Sequence, residues 1–245
     1  RHPRRLRPAL HPPGSQRGPA AGGFSRHGRA LLRGLARGRY RPGKSDVNVV
    51  ILLHKASAEM LSAISPALRK ASRAIALEPM LLTPAELPQT AYAFPTKFLD
   101  IKNHHIVLAG DDPFLTLVLP RPQILLRAAQ ELHNLLLRLR NRYVAVDNDA
   151  VGSAQVLARI ARPFALELEA LLYLAGKSVL NDDRSAVIFA AAAREFGLAA
   201  EPLAQLAELR HHSQPEGDLA TLYKAVLVAV EQAVQVAEKM KETPQ

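Results

Sequence analysis

The chain has 245 residues, 48% of them hydrophobic and 5% aromatic, which is enough for one or two globular domains. It has no cysteine, so disulfides, thiolate metal sites and cysteine nucleophiles are excluded. The formal net charge is +10, yet residues 1–44 carry twelve Lys and Arg without any Asp or Glu, which leaves 20 basic and 22 acidic residues for the remainder. Charge therefore does not predict nucleic-acid binding by the main part of the chain. Its apolar runs are shorter than the roughly 18 residues of a membrane span, so we expect a soluble, cytoplasmic protein with no membrane partner.

Residues 1–37 are rich in Arg, Pro and Gly and show no apolar periodicity before about Ala30, which predicts a disordered basic tail. Three interpretations stay open. The tail could be an arm that binds nucleic acid through residues 1–44. It could be an organellar transit peptide, although Pro12 and Pro13 would interrupt the amphipathic helix of such a peptide. We favour the third interpretation, in which a truncated or out-of-frame stretch precedes a genuine domain.

A buried strand is predicted at residues 45–53, where a few polar residues lead into a β-branched and leucine-rich run. Ser57 is placed to cap a helix whose apolar residues recur at helical spacing as far as Ile75. Shorter strands are predicted at 79–83, 98–101 and 106–108.

After Pro122 the apolar periodicity is helical and predicts five helices. They lie at about 124–143, 151–175, 183–196, 201–211 and 217–240. Pro163 is expected to bend or divide the second of them, and Gly197 to end the third. Short loops between such helices indicate an antiparallel bundle. We therefore expect a mixed α/β fold, with a small sheet domain at 38–118 followed by an all-α helical bundle at 120–243.

Asp46 and Asn48 lie two residues apart at the entrance of the buried strand, so a strand places both side chains on one face. Two carboxylates at this spacing can hold Mg²⁺ together with a nucleoside triphosphate, and the metal charge then favours attack at phosphorus. Such chemistry also needs a third carboxylate on an adjacent strand. Asp100, in the predicted strand at 98–101, is the candidate.

Two other motifs receive structural interpretations. Residues 38–45 match the P-loop pattern formally, but they lead into a strand, and Pro42 removes one backbone amide from the loop. His104 and His105 are adjacent, so on a strand they would point to opposite faces and could not bind one ion.

Residues 41–49 resemble the second strand of the DNA-polymerase-β-like nucleotidyltransferases, with their Ser-Asp-x-Asp signature. Residues 94–105 and 108–113 resemble a bacterial branch of that superfamily akin to the aminoglycoside nucleotidyltransferases, whose members carry a helical bundle after the catalytic domain. The resemblance implies Mg²⁺-dependent transfer of a nucleotidyl group from a nucleoside triphosphate to an unknown acceptor. By the same resemblance, the Mg²⁺ ligands are Asp46, Asn48 and Asp100, the catalytic residues are Asp46 and Asp100, and the nucleotide-binding residues are Lys44 and Ser45.

The sequence departs from that family at three positions. Asn48 replaces the second carboxylate, Leu35 follows Gly34 where the family has Ser, and Lys97 stands where a carboxylate is expected. These departures leave open a non-catalytic nucleotide- or partner-binding scaffold. The basic residues 1–44 leave open a second alternative, nucleic-acid binding through the tail. If the tail is out of frame, the sheet is also expected to lack its first strand and to expose an edge at the second.

Overall fold

The computed structural model describes residues 28–33, 47–146, 149–177, 184–209 and 218–242. Within these residues, a sheet with three helices precedes five further helices. The first part contains β1 (Gly28–Arg33), β2 (Val47–Leu53), α1 (Ala58–Ile75), β3 (Leu77–Leu82), α2 (Leu87–Ala93), α3 (Pro95–Asn103) and β4 (His105–Ala109). The second part contains α4 (Arg121–Val146), α5 (Ala150–Leu174), α6 (Ser185–Phe196), α7 (Ala200–Glu208) and α8 (Leu219–Glu242).

The sheet is mixed and has the strand order β3-β2-β1-β4. β2 is an interior strand that runs antiparallel to β1 and parallel to β3, and β4 pairs antiparallel with β1. One face of β2, which includes Val49 and Ile51, packs on α1, whereas Val50 and Leu52 join the core shared with the helices. The long apolar run in the sequence is what a strand covered on both faces requires, and the predicted buried strand is confirmed.

β1 corrects the interpretation of the basic tail. The prediction that residues 1–37 form a disordered tail is wrong for Gly28–Arg33, which pairs with β2 from Gly28 opposite Leu53 to Arg33 opposite Asn48. β2 is consequently not an edge strand, and the sheet does not lack the strand whose loss was expected. Pairing with β1 satisfies the backbone groups on that side of β2, which would otherwise be open.

A second correction concerns the segment that carries Asp100. Residues 98–101 were predicted as a strand, but they lie inside the helix α3. Pro95 occupies the first turn of α3, where its fixed φ favours a helix, and the amide of Phe98 donates to the carbonyl oxygen of Phe94 at 3.0 Å. A short apolar run does not by itself distinguish a strand from a buried helix.

The other predicted elements are confirmed with small shifts of their ends. Ser57 caps α1 by accepting from the amide of Met60 at 3.4 Å, and β3 and β4 are the strands expected near residues 79–83 and 106–108. Pro163 does not divide α5, which continues through it, and Gly197 ends α6 with a left-handed φ of 68°.

The helical bundle and the sheet share one core. Val50 and Leu52 of β2 belong to the same buried cluster as Phe98 of α3, Leu132 of α4 and Phe164 of α5. The expected arrangement of a mixed α/β part followed by a helical bundle is therefore confirmed, and the two parts pack together through one apolar interior.

α8 is long and apolar enough to cross a membrane by length and composition, and it is the one such helix in the described parts of the chain. Its residues Leu222, Val226 and Val230 are buried, and α8 contacts α4, α5 and α7. This is the burial that a core helix of a bundle shows.

Candidate functional site

The residues predicted for the nucleotide site divide between three places. Lys44, Ser45 and Asp46 lie outside the described residues. Asn48 is exposed near the start of β2, where the following residues are buried. Asp100 lies on α3 with 1% of its surface exposed, so it is not a carboxylate on a strand beside β2.

An acidic residue that the sequence analysis did not select lies next to Asn48. Glu78 of β3 is the register partner of Asn48 in the parallel β2–β3 pair, and both residues are exposed. Register partners on neighbouring strands have side chains on the same face, with backbones about 4.8 Å apart. We call Asn48 and Glu78 the strand-entrance group. It offers one amide and one carboxylate to solvent, and Asn48 lies two residues after Asp46 in the sequence.

The signal for Glu78 was present in the sequence but weak. Glu78 is a single charged residue beside Pro79 in a short strand, and only the parallel register with β2 brings it opposite Asn48. Strand register is determined by long-range pairing, which sequence periodicity does not define.

Asp100 belongs to a buried group of three ionisable side chains, which we call the α3–α5 cluster: Asp100, His104 and Glu169. The Nδ1 atom of His104 lies 3.2 Å from Oδ1 of Asp100 and 3.9 Å from Oε1 of Glu169. One ligand atom from each residue lies within 4.8 Å of the other two. The side chains are 1%, 7% and 4% exposed for Asp100, His104 and Glu169, respectively.

The secondary structure explains this arrangement. Asp100 lies in the last turn of α3, and His104, four residues later, is the residue that ends the helix, so the two side chains are in contact. The backbone amide of His104 donates to the carbonyl oxygen of Asp100 at 3.1 Å. Glu169 approaches from the buried side of α5, and Arg162, two turns earlier on that helix, brings its Nη2 atom to 3.7 Å from Oδ1 of Asp100.

Glu169 is the least satisfied member of the cluster. It is 3% exposed, and its Oε2 atom has no hydrogen-bond partner among the described residues. A buried carboxylate oxygen without a partner is costly and calls for a specific explanation.

Glu167, two residues before Glu169 on α5, has a different environment. The pKa of Glu167 is raised to about 8, first by burial and then by the negative charge of Glu131, with Arg127 opposing the shift. Arg127 itself forms an ion pair with Glu131 at 2.5 Å. Glu167 is therefore protonated and neutral at pH 7, in contrast to the carboxylates that a cation site requires.

His104 and Glu169 were both missed by sequence reasoning. His104 was set aside because a strand was expected there, whereas on a helix it lies one turn from Asp100. The sequence did contain a signal for Glu169: Glu167 and Glu169 lie in the strongly apolar second half of α5. Because charged residues are rarely buried without partners, two glutamates there indicate a buried polar group.

Two pockets lie at the carboxyl ends of β2 and β3, opposite the end that carries Asn48 and Glu78. One of about 650 Å³ lies between the ends of these strands and the start of α1, and its lining includes Lys55 and Glu86. A neighbouring pocket of about 410 Å³ is lined mostly by apolar residues and prolines, among them Leu52 and Pro84. Neither lining includes Asn48 or Asp100.

No protein-family model, curated protein or solved structure matches the chain. The likeness to nucleotidyltransferases consequently rests on the sequence motifs, and the site is argued below from the residues themselves.

Proposed function

We propose that the chain is a nucleotidyltransferase-like protein that binds a nucleoside triphosphate with Mg²⁺ at the start of β2 and transfers its nucleotidyl group to an acceptor. The observation that carries this proposal is the strand-entrance group. Asn48 and Glu78 are exposed register partners near the start of two parallel strands, and Asn48 lies two residues after Asp46.

The chemistry of these residues fits one Mg²⁺. Asp46 and Glu78 would supply carboxylate oxygens and Asn48 an amide oxygen, with phosphate oxygens completing the coordination, as is common for Mg²⁺ in nucleotide sites. When bound, the metal supplies neutralisation of phosphate charge. Lys44 and Ser45 add an amine and a hydroxyl that can contact the triphosphate. In the transfer, the oxygen of an acceptor hydroxyl would form a bond to the α-phosphorus and its proton would pass to solvent. The bond from the α-phosphorus to the bridging oxygen would break, and pyrophosphate would leave with the electrons of that bond.

A second candidate, a nucleotide-binding scaffold without turnover, is favoured by the position of Asp100. The carboxylate expected to complete the site is buried on α3 beside His104 and Arg162. With Asn48 neutral, the strand entrance has fewer carboxylates than a two-metal centre normally uses. Nucleotide binding without pyrophosphate release is the outcome that would establish this candidate.

Calorimetric titration with Mg²⁺ and each of ATP, GTP, CTP and UTP tests the location of the site. We expect one nucleotide to bind, and both Asp46→Ala and Glu78→Gln to raise its Kd about tenfold or more, since each removes a charged ligand. Glu86→Gln is the matched control, because Glu86 is an exposed glutamate just beyond the other end of β3. Weakening by Glu86→Gln with no effect of Glu78→Gln would place the nucleotide in the pocket at the carboxyl ends and contradict the proposal.

Pyrophosphate release separates the two candidates. The assay is run with the nucleotide that binds, with Mg²⁺, and with a panel of hydroxylated small molecules and proteins as acceptors. Release that depends on Asp46 and Glu78 supports transfer, and binding of every nucleotide too weak to detect would reject both candidates.

A further inference from the structure

The α3–α5 cluster brings three metal-ligating side chains to one point. Metal bonds of about 2.0–2.2 Å to nitrogen and carboxylate oxygen place two ligands of one ion roughly 3–4 Å apart. The distances of 3.2 Å and 3.9 Å from Nδ1 of His104 to the carboxylate oxygens of Asp100 and Glu169 fall in this range. Nδ1 also lies 3.2 Å from the backbone carbonyl oxygen of Asp100, so a metal ion bound there would replace the proton that Nδ1 directs at these two acceptors. The ligand atoms of the three side chains already lie within 4.8 Å of one another.

The state of Glu169 independently indicates a ligand. Glu169 is 97% buried, one of its oxygens faces His104, and the other has no hydrogen-bond partner among the described residues. A cation bound between α3 and α5 would compensate the desolvation of this carboxylate.

The net charge of the cluster is compatible with a bound divalent cation. Asp100 and Glu169 contribute two negative charges, and His104 ligates as a neutral imidazole. Arg162 forms an ion pair with Asp100, with its Nη2 atom 3.7 Å from Oδ1, and adds one positive charge. Two carboxylates against one guanidinium leave a negative balance that a bound cation would offset.

We propose that the α3–α5 cluster is a binding site for a divalent transition metal, coordinated by Nδ1 of His104 and by one carboxylate oxygen each of Asp100 and Glu169. One imidazole with two carboxylates suits Zn²⁺, Mn²⁺ or Fe²⁺, whereas Mg²⁺ and Ca²⁺ prefer oxygen ligands alone. The bound ion would join α3, in the sheet part of the molecule, to α5 in the bundle. It is separate from the Mg²⁺ proposed at the start of β2, and neither proposal depends on the other.

The test uses the full chain without a polyhistidine tag, stripped with EDTA and titrated with Zn²⁺ alone by calorimetry and elemental analysis. We expect one Zn²⁺ per chain, retained in the presence of excess Mg²⁺. His104→Gln and Glu169→Gln should each weaken binding at least tenfold, which is the usual scale for the loss of one ligand or its support.

Two control variants match these changes. Glu167→Gln alters a buried glutamate of the same helix, and His133→Gln alters an exposed histidine that lies 3.2 Å from Glu238. Both should retain the metal. Loss of Zn²⁺ in His133→Gln with retention in Glu169→Gln would assign binding to the surface and overturn the proposal.

A spectroscopic and a thermal measurement keep the result interpretable if a variant folds poorly. Co²⁺ in the wild-type chain should give visible absorption bands that His104→Gln changes. Zn²⁺ should raise the Tm of the wild type but not that of Glu169→Gln, because only a native state with an intact site is stabilised by the ion. No Zn²⁺ binding by a folded wild-type chain would show that the cluster is a salt-bridge network alone and would reject the proposal.

Discussion

The strand-entrance group and the α3–α5 cluster place ionisable or amide side chains in opposite environments. Asn48 and Glu78 are exposed at the surface of the sheet, whereas Asp100, His104 and Glu169 are almost completely removed from water. Water solvates the first group and screens its charges, while the buried groups interact strongly with their immediate neighbours. Substitutions in the strand-entrance group should therefore change ligand affinity with little effect on stability. Substitutions of the buried carboxylates should change the free energy of unfolding.

The largest effect is expected from Glu167, the neutral member of the interior carboxylates. Its pKa is about 8 in the folded chain against 4.5 for an unperturbed glutamate, so between these values the folded state holds a proton that the unfolded state has lost. Stability should fall as pH rises through this window, by roughly 5 kcal/mol in total. Glu167→Gln should flatten this dependence in urea denaturation series from pH 4.5 to pH 9.

Glu195→Gln provides the control for this series, because Glu195 is exposed on α6. It should leave the pH dependence as it is in the wild type. A wild-type chain whose stability is constant from pH 5 to pH 8 would mean that Glu167 is solvated, and the contrast between interior and surface carboxylates would fail.

A somewhat smaller loss is expected from Asp100→Ala in metal-free protein. Removing this carboxylate takes away a buried negative charge that lies 3.2 Å from His104 and 3.7 Å from Arg162. Loss of one member of a buried pair costs about 3 kcal/mol or more. The free energy of unfolding in urea measures it, and a loss below about 0.5 kcal/mol would show that the cluster behaves like surface charges.

The smallest effect on stability is expected from substituting Asn48 in the strand-entrance group, where nucleotide affinity should change instead. Asn48→Asp restores a second carboxylate after Asp46 and should tighten Mg²⁺-dependent nucleotide binding about tenfold, which corresponds to about 1.4 kcal/mol. The free energy of unfolding should stay within about 0.5 kcal/mol of wild type because the position is exposed.

Asn48→Ala is the companion variant and should weaken nucleotide binding without unfolding the chain. Equal affinities for Asn48→Asp, Asn48→Ala and wild type would remove Asn48 from the site. A rise in pyrophosphate release in Asn48→Asp alone would show that the missing carboxylate limits turnover.

The spacing of apolar residues along the sequence was sufficient to predict most helices and strands of the fold. The bundle helices and the ends marked by Ser57 and Gly197 follow from side-chain spacing and capping, which act over a few residues. β1 was missed because it lies within a segment dominated by Arg, Gly and Pro, and its pairing with β2 is a long-range interaction. α3 was misassigned because its apolar run is too short to show a period.

In the candidate sites, too, local features could be predicted from the sequence and long-range contacts could not. The polar entrance of β2 could be recognised from consecutive residues, but Glu78 joins it only through the parallel register with β3. The contact between His104 and Glu169 joins residues more than 60 positions apart. Sequence spacing along one element carries no information about such a contact, since it depends on how α3 packs against α5.

The apolar interior common to the sheet and the bundle has a consequence for dissecting the molecule. A cut between β4 and α4 would leave Val50, Leu52 and Phe98 on one fragment and Leu132 and Phe164 on the other, each facing water where it now meets its counterpart. Neither fragment is then an autonomous folding unit. The intact chain should melt in a single cooperative step, and its two halves should recover native helicity only when they are mixed.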